Sequence, residues 1–277
     1  MTETTRTALI QLCATPDVEA NMATTQQLVT SAAQQGATIA FLPEAFAFIG
    51  PDREKRLILE SLTDTADTAR PILEQCQELA SKLGMQLVLG GFHEVSEDPE
   101  RSYNTCVHLG NDGAILARYR KIHLFDVELA DGTFLKESKR TLAGLQPVIT
   151  DTPFGRLGLT ICYDLRFPYL YEKLVDMGAI ALSVPSAFTA TTGAAHWHTL
   201  LRARAIESQC YVFAPAQYGN HHGRRHSYGH SLVVDPWGEI IAEVATDDAV
   251  LIADIDPARV QQVRSELPSL QHRRALA

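Results

Sequence analysis

The stretch GLTICYDLRFP, from Gly158 to Pro168, decides how the rest of the chain is read. Arg156 to Ile161 is apolar enough for a short buried strand, and it delivers Cys162 at its tip. Tyr163 and Asp164 break the apolar run at once, and Pro168 opens a helix-like segment. A turn at a strand tip leaves backbone N–H groups free to face a ligand. A cysteine there can act as a nucleophile if it is accessible and a partner can take its proton. The alternative is a cysteine that closes a core strand, because free cysteine is among the most buried residue types. Company elsewhere in the chain separates the two readings.

Outward from this stretch, strands and helices alternate on both sides. Toward the C-terminus, Pro168 to Met177 reads as a helix, Ala179 to Val184 as a strand, Ala195 to Glu207 as a helix and Gln209 to Gln217 as a strand. Gly229 to Val234 and Glu239 to Val244 flank a tight turn at Asp235–Gly238; Ala249 to Ile255 and Pro257 to Glu266 give a last strand and helix. The first half follows the same grammar. It reads as strand Thr7–Cys13, helix Asp17–Gly36, strand Thr38–Leu42, a short helix Arg53–Leu62, helix Thr68–Lys82 and strand Met85–Gly90. A hairpin follows, Tyr103–Leu109 and Ala114–Arg120 around Asn111-Asp112-Gly113. No Gly/Ser-rich or charged linker parts the halves. The pattern predicts one α/β domain over residues 1–277, with a core from about 5 to 257, a tail 258–277 and internal pseudo-symmetry. Strands that alternate with helices and end in hairpins fit two mixed sheets with helices outside.

Composition narrows the function. The net charge of -9 argues against nucleic acid as a partner, although a local patch can oppose the average. Five widely spaced cysteines without a CxxC pair suit reduced thiols and a cytoplasmic setting rather than a disulfide framework. The sequence MTETTRTALIQL lacks the shape of a signal peptide, and no apolar run approaches the ~18 residues that span a membrane.

Two further residues stand where chemistry gathers. FLPEAF places Glu44 just past a buried run, at the C-terminal mouth of a strand. ILARYRKIHLF carries Lys121, and period-2 alternation puts it on one face with Tyr119, with Arg118 and Arg120 on the other. Singly, these are a loop carboxylate and a surface amine. Together with Cys162 they form an acid/base, an oxyanion stabiliser and a nucleophile.

Taken together, FLPEAF, YRKIHLFD and GLTICYDLRFP resemble the nitrilase superfamily of carbon–nitrogen hydrolases over nearly the whole chain. The resemblance implies an α-β-β-α sandwich with no metal and no cofactor. It implies Glu44 as base, Lys121 with a backbone N–H near Tyr163 as oxyanion holder, and Cys162 as the nucleophile that forms a thioester. Glu137, in FLKES, matches the family's second glutamate. Tyr163-Asp164 after the cysteine places the chain nearer the amidases than the true nitrilases, which usually carry Trp-Glu there. The implied substrate is the amide of a 2-oxo dicarboxylic acid, with deaminated glutathione ahead of 2-oxoglutaramate. A catalytically silent binding protein of the same fold is the alternative. Phe188 and Thr192 match positions that line the acyl pocket in related amidases. At His198 those amidases generally carry glutamate. The resemblance further implies a homodimer or larger homo-oligomer. Independently of it, Arg166, four residues after the cysteine, is a candidate for bidentate carboxylate capture.

The histidines at 221, 222, 226 and 230 crowd one stretch, HHGRRHSYGHS. This stretch reads as a loop entering a strand, with no carboxylate among them, so polar loop residues are favoured over zinc. Gly90-Gly91 lacks the context of a phosphate loop, and Trp197 and Trp237 read as packing residues.

Overall fold

The computed structural model describes residues 4–63, 70–128 and 134–274. The first half supplies β1 (Thr5–Gln11), α1 (Val18–Gln34), β2 (Ile39–Phe41), α2 (Asp52–Lys55), α3 (Pro71–Leu83), β3 (Gln86–Val95), β4 (Ser102–Leu109), β5 (Ile115–Arg120), β6 (Asp126–Glu128) and β7 (Phe134–Lys136). The second supplies β8 (Val148–Thr152), β9 (Gly155–Leu159), α4 (Pro168–Asp176), β10 (Ala181–Ser183), α5 (Ala190–Ser208), β11 (Tyr211–Ala214), β12 (Tyr218–His222), β13 (Arg225–Tyr228), β14 (Ser231–Val234) and β15 (Ile240–Val244). β16 (Ala249–Ile255) and α6 (Pro257–Glu266) close the chain.

The strands form two six-stranded mixed sheets. One runs β16-β1-β2-β3-β4-β5 and the other β8-β9-β10-β11-β14-β15. In each, three parallel strands are flanked by one antiparallel strand on one side and an antiparallel pair on the other. The two halves therefore share one sheet order, and β16 returns from the C-terminus to complete the first. Alternation along each strand sorts its side chains between layers. On β1 and β2, Leu9, Ile39 and Phe41 face the second sheet. Ala8, Ile10 and Ala40 face α1 and α3. Phe41 stacks on Phe213 of β11 at 4.6 Å, across the middle of the sandwich. α4 and α5 cover the other side through Leu170, Leu174, Trp197 and Leu201. This is the expected α-β-β-α arrangement.

Element types agree with the sequence, while several boundaries and small strands differ. Asp17 caps α1 by accepting from Ala20 N at 3.0 Å. The short helix expected over Arg53–Leu62 is only α2 plus a 3₁₀ turn at Arg56–Ile58. Glu60 is drawn away to cap α3, accepting from the N–H groups of Ile72 and Leu73 at 2.8 and 2.9 Å. The start of the helix expected from Thr68 lies outside the described residues. α5 begins at Ala190 rather than Ala195, although Thr191, Thr192 and Gly193 are poor helix formers. Packing overrides propensity here: a Cβ on Gly193 would lie 2.4 Å from Tyr228. The loop expected at HHGRRHSYGHS is a two-stranded hairpin, β12–β13. The patternless tail forms a 3₁₀ turn at Ser269–His272, and Arg273 binds Glu172 and Asp176 of α4.

Candidate active site

Cys162 stands where β9 gives way to a 3₁₀ turn, Cys162–Arg166, and takes the left-handed conformation, φ +49°. That conformation is unfavourable for a residue with a Cβ and persists only where surrounding contacts enforce it. Two anchors do so. The Cys162 N–H donates to Pro185 O at 2.9 Å, beyond β10. Asp164, fully buried, accepts from Ile161 N at 2.9 Å and from Tyr119 OH at 2.7 Å. Asp164 also accepts from His123 N at 3.0 Å and bonds His123 Nδ1 at 2.7 Å. The turn carrying the thiol is thus fastened to β5 and to the segment after it, on either side of Lys121. The first N–H groups of such a turn have no partner within it. Cys162 N–H is used by Pro185 and Asp164 N–H by Ile161 O at 3.1 Å. Tyr163 N–H bonds to none of the described residues.

Glu44 reaches the same point from the first sheet. Pro43 ends β2, and Ala45, φ +57°, turns the chain so that the Glu44 side chain points inward. Gly90 makes this possible. A Cβ there would lie 2.1 Å from Leu42 O and 2.3 Å from Pro185 Cβ, so only glycine lets β3 pass beneath both strand tips. The doublet that looked uninformative in sequence is where the halves meet. Gln217 stitches them further, donating to Glu44 O at 3.0 Å and accepting from Ala14 N at 2.9 Å.

Around the Glu44 carboxylate, Oε1 accepts from Lys121 Nζ at 3.0 Å and Asn104 Nδ2 at 2.9 Å. Oε2 accepts from Ala187 N at 2.9 Å, and the Cys162 thiol is near enough to act on the carboxylate. Lys121, 2% exposed, is held from the other side by both oxygens of Glu137, at 3.1 and 2.9 Å. Phe125 N fixes Glu137 at 2.7 Å. Tyr119 and Lys121 are buried while Arg118 and Arg120 face outward, as period-2 alternation predicts.

These contacts set the protonation states. Burial would raise the Glu44 carboxyl, but the Lys121 ammonium and hydrogen bonds from Cys162, Lys121 and Ala187 N–H hold it at about 2. Burial would lower Lys121, yet the Glu137 and Glu44 carboxylates keep it well above the usual lysine value. Burial and the Glu44 charge push the Cys162 thiol far up, against the opposing Lys121 charge. At rest the site holds two carboxylates, an ammonium and a neutral thiol.

The four residues border a cavity of about 790 Å³. The other four sequence-derived residues are not on its wall. Tyr163 packs edge-on against Phe125 at 4.9 Å. Phe188 is buried against Trp197 at 5.0 Å. Thr192 bonds Thr189, which does line the cavity, at 2.8 Å. Arg166 lies over the Phe188 ring, 5.2 Å from its centroid, with His196 Nδ1 at 3.4 Å. His198, the departure from related amidases, bonds Glu243 at 2.9 Å, and Glu243 also bonds His230 Nδ1 at 2.8 Å. These three sit off the cavity wall. Of the crowded histidines, His221 is buried and bonds Ala14 O and Ser227 Oγ, each at 2.7 Å. Among the described residues, His198, His230 and Glu243 converge closely enough to share a metal ion.

Sequence reading missed Asn104, Asp164, Gln217 and the Ala187 N–H. Each is ordinary in composition and acquires meaning only from contacts across the fold. It also missed the cationic wall of the cavity, where Lys55, Lys136, Lys139, Arg224 and Arg225 outnumber the acids.

A family model described as carbon-nitrogen hydrolase matches residues 6–265. The chain belongs to the carbon-nitrogen hydrolase family. It is 48% identical over 273 residues to a deaminated glutathione amidase of Bos taurus, covering 96% of this chain and 81% of that protein. The crystal structure of the NitFhit protein of C. elegans superposes with a TM-score of 0.88 at 42% identity, covering 99% of this chain and 66% of that one. An amidase of the nitrilase superfamily from Nesterenkonia sp. AN1, with acrylamide added at its active-site cysteine, superposes with a TM-score of 0.78. It is 26% identical, covering 96% of this chain and 98% of that one. The hydrolase fold anticipated from three short motifs is therefore the fold of the whole chain. Among the described residues, no helix is long and apolar enough to cross a membrane.

Proposed function

We propose that this carbon-nitrogen hydrolase cleaves the amide of deaminated glutathione, releasing 2-oxoglutarate and Cys-Gly through a thioester on Cys162. The observation that carries the reading is the meeting of Glu44, Lys121 and the Cys162 thiol on one cavity wall, with Glu44 bonded to Lys121 at 3.0 Å.

The charges suggest the order of events. A free thiolate would place a third negative charge beside Glu44 and Glu137, so the thiol stays neutral until an amide carbonyl is present. Sulfur then attacks the carbonyl carbon as Glu44 takes its proton, and negative charge moves to the carbonyl oxygen. Lys121 Nζ and Tyr163 N–H are the donors available to that oxygen. Collapse of the adduct breaks the C–N bond, and Glu44 returns its proton to the departing amine. Water, deprotonated by Glu44, attacks the thioester; the acid leaves and the thiol is regenerated. Glu137 and Asn104 hold Lys121 and Glu44 in register throughout.

The substrate choice rests on the relatives and on the cavity. Its volume leaves room for a departing dipeptide, whereas 2-oxoglutaramate releases only ammonia. Single-domain organisation, a cytoplasmic setting and a homodimeric or larger assembly complete the reading; light scattering tests the last. The functional test is release of 2-oxoglutarate from both amides. Faster turnover of deaminated glutathione supports the reading, and a clear preference for 2-oxoglutaramate replaces it with an ω-amidase.

A further inference from the structure

The cavity is positively charged in a chain whose net charge is -9. Its wall carries seven Lys and Arg residues against three acids, Glu44, Asp52 and Glu137. Lys121 is spoken for by two of those acids, and Arg140 binds Glu100. The side chains of Lys55, on α2, and Arg225, on β13, have neither a hydrogen bond nor an ion pair among the described residues. They approach the cavity from opposite halves of the molecule and are close enough for Arg225 to depress Lys55. Burial is the larger cause of that depression; the opposing acids are Glu137, already bonded to Lys121, and Asp52. His93, on the same wall, feels both cations as well as Glu44. Burial leads in lowering it to about 3, so it remains neutral beside them.

Lys55 and Arg225 are like charges on one cavity wall; of the acids near Lys55, Glu137 is bonded to Lys121 and Asp52 makes no ion pair with it among the described residues. An anion between them relieves the repulsion and is held by charge-assisted bonds. We propose that Lys55 and Arg225 form the subsite for the carboxylate of the substrate's acyl half, the end of the 2-oxo acid remote from the scissile amide. The subsite adjoins Glu137 and Lys121, which act on Lys55 through space. Cys162, Lys55 and Arg225 border one cavity; with the reacting carbonyl at Cys162, the oxo-acid carboxylate belongs to the acyl half that stays on the thiol, whereas the glycyl carboxylate lies beyond the departing dipeptide. Arg166, the sequence-derived candidate for this role, is replaced in it because its guanidinium rests on Phe188, outside the cavity wall. The inference rests on the amidase reading for the identity of the acyl group.

The test uses Lys55→Met, Arg225→Met and Arg166→Ala. Kinetics are measured on deaminated glutathione, on 2-oxoglutaramate and on the methyl ester of the 2-oxoglutaramate carboxylate. Both cavity variants should raise KM for the two acids by roughly tenfold or more, with kcat little changed and the ester unaffected; Arg166→Ala should leave the ratio of acid to ester unchanged. A loss confined to deaminated glutathione would assign the pair to the glycyl carboxylate and overturn the proposal. Equal losses on acid and ester would overturn it too. Calorimetric titration with 2-oxoglutarate keeps the two readings separable. Weaker binding in both variants supports the subsite even if neither amide is turned over by wild type, an outcome that would sink only the amidase reading. Unchanged binding overturns the subsite while leaving wild-type hydrolysis standing.

Discussion

The two halves of the molecule share one backbone plan and carry different chemistry. β2 ends at Phe41 and is followed by Leu42, Pro43 and Glu44; β10 ends at Ser183 and is followed by Val184, Pro185 and Ser186. The neighbouring first strands are in matching register, Leu9 beside Phe41 and Leu159 beside Ser183. Carrying that register forward pairs Glu44 with Ser186 and Leu12 with Cys162. Each half thus has two strand tips at the seam, and one tip of each borders the cavity, Glu44 in the first half and Cys162 in the second. The other two tips are off the cavity wall: Leu12 is buried, and among the described residues Ser186 Oγ bonds its own loop, at Val184 O, 3.0 Å. The lesson is that the repeat builds the seam and the departures from it build the site.

The largest effect should come from the tip that breaks the repeat. Cys162→Ala should abolish turnover, by roughly 10⁴-fold or more, with an unchanged far-ultraviolet spectrum. A small side chain there removes little packing, so residual activity near wild type would restore symmetry to the two tips. Lys121→Met should lower kcat by ~10²–10³, the range for a lost oxyanion donor. It should also cost about 3–5 kcal/mol of stability, because Glu44 and Glu137 would lose their shared counter-charge in a buried site. Pairing it with Glu137→Gln should recover part of the stability and none of the rate. If the melting temperature of the single variant is unchanged, the ion triad is not what holds the tips together.

How much of this was legible in sequence depended on the range of the contacts. Alternating apolar residues gave the long strands and helices because burial follows a local period. Glu44, Lys121, Glu137 and Cys162 could be nominated because each sits in a distinctive short motif, and the structure brings the four to one cavity. The small strands β6–β7 and β12–β13 could not, since they are only three to five residues long and too short to show a period. Asn104 and Asp164 were hidden for another reason: a buried polar residue looks like a loop residue until its partners are known. Lys55 and Arg225 lie far apart in the chain, and Arg166 drew the carboxylate role by being near the cysteine in sequence.

The seam itself can be tested by pH. His108, on β4, bonds Thr150 Oγ1 of β8 at 2.9 Å, and His221 bonds Ala14 O, so both join one half to the other. Burial lowers each to about 4, against an ordinary histidine value of 6.5. The unfolded chain takes up protons below pH 6.5 and the folded one does not until about 4, so stability is lost as pH falls through that window. At pH 5 the loss should be about 2 kcal/mol per histidine, read as a lower urea midpoint than at pH 7. A double His108→Gln, His221→Gln variant should lose those two contributions and keep that of His93, which burial lowers to about 3. The smallest effect belongs to the silent tip: Ser186→Ala should change kcat/KM by less than about twofold, as expected for a side chain whose one bond is local. A large loss there would mean that both second-strand tips take part.

The most direct test of the account is rapid acid quenching of the wild-type protein during turnover of deaminated glutathione, followed by peptide mass spectrometry. The account predicts a 2-oxoglutaryl adduct on the peptide containing Cys162, on none of the other four cysteines, and absent from Cys162→Ala. Steady turnover with no acylated Cys162, or with the acyl group on another residue, would contradict it.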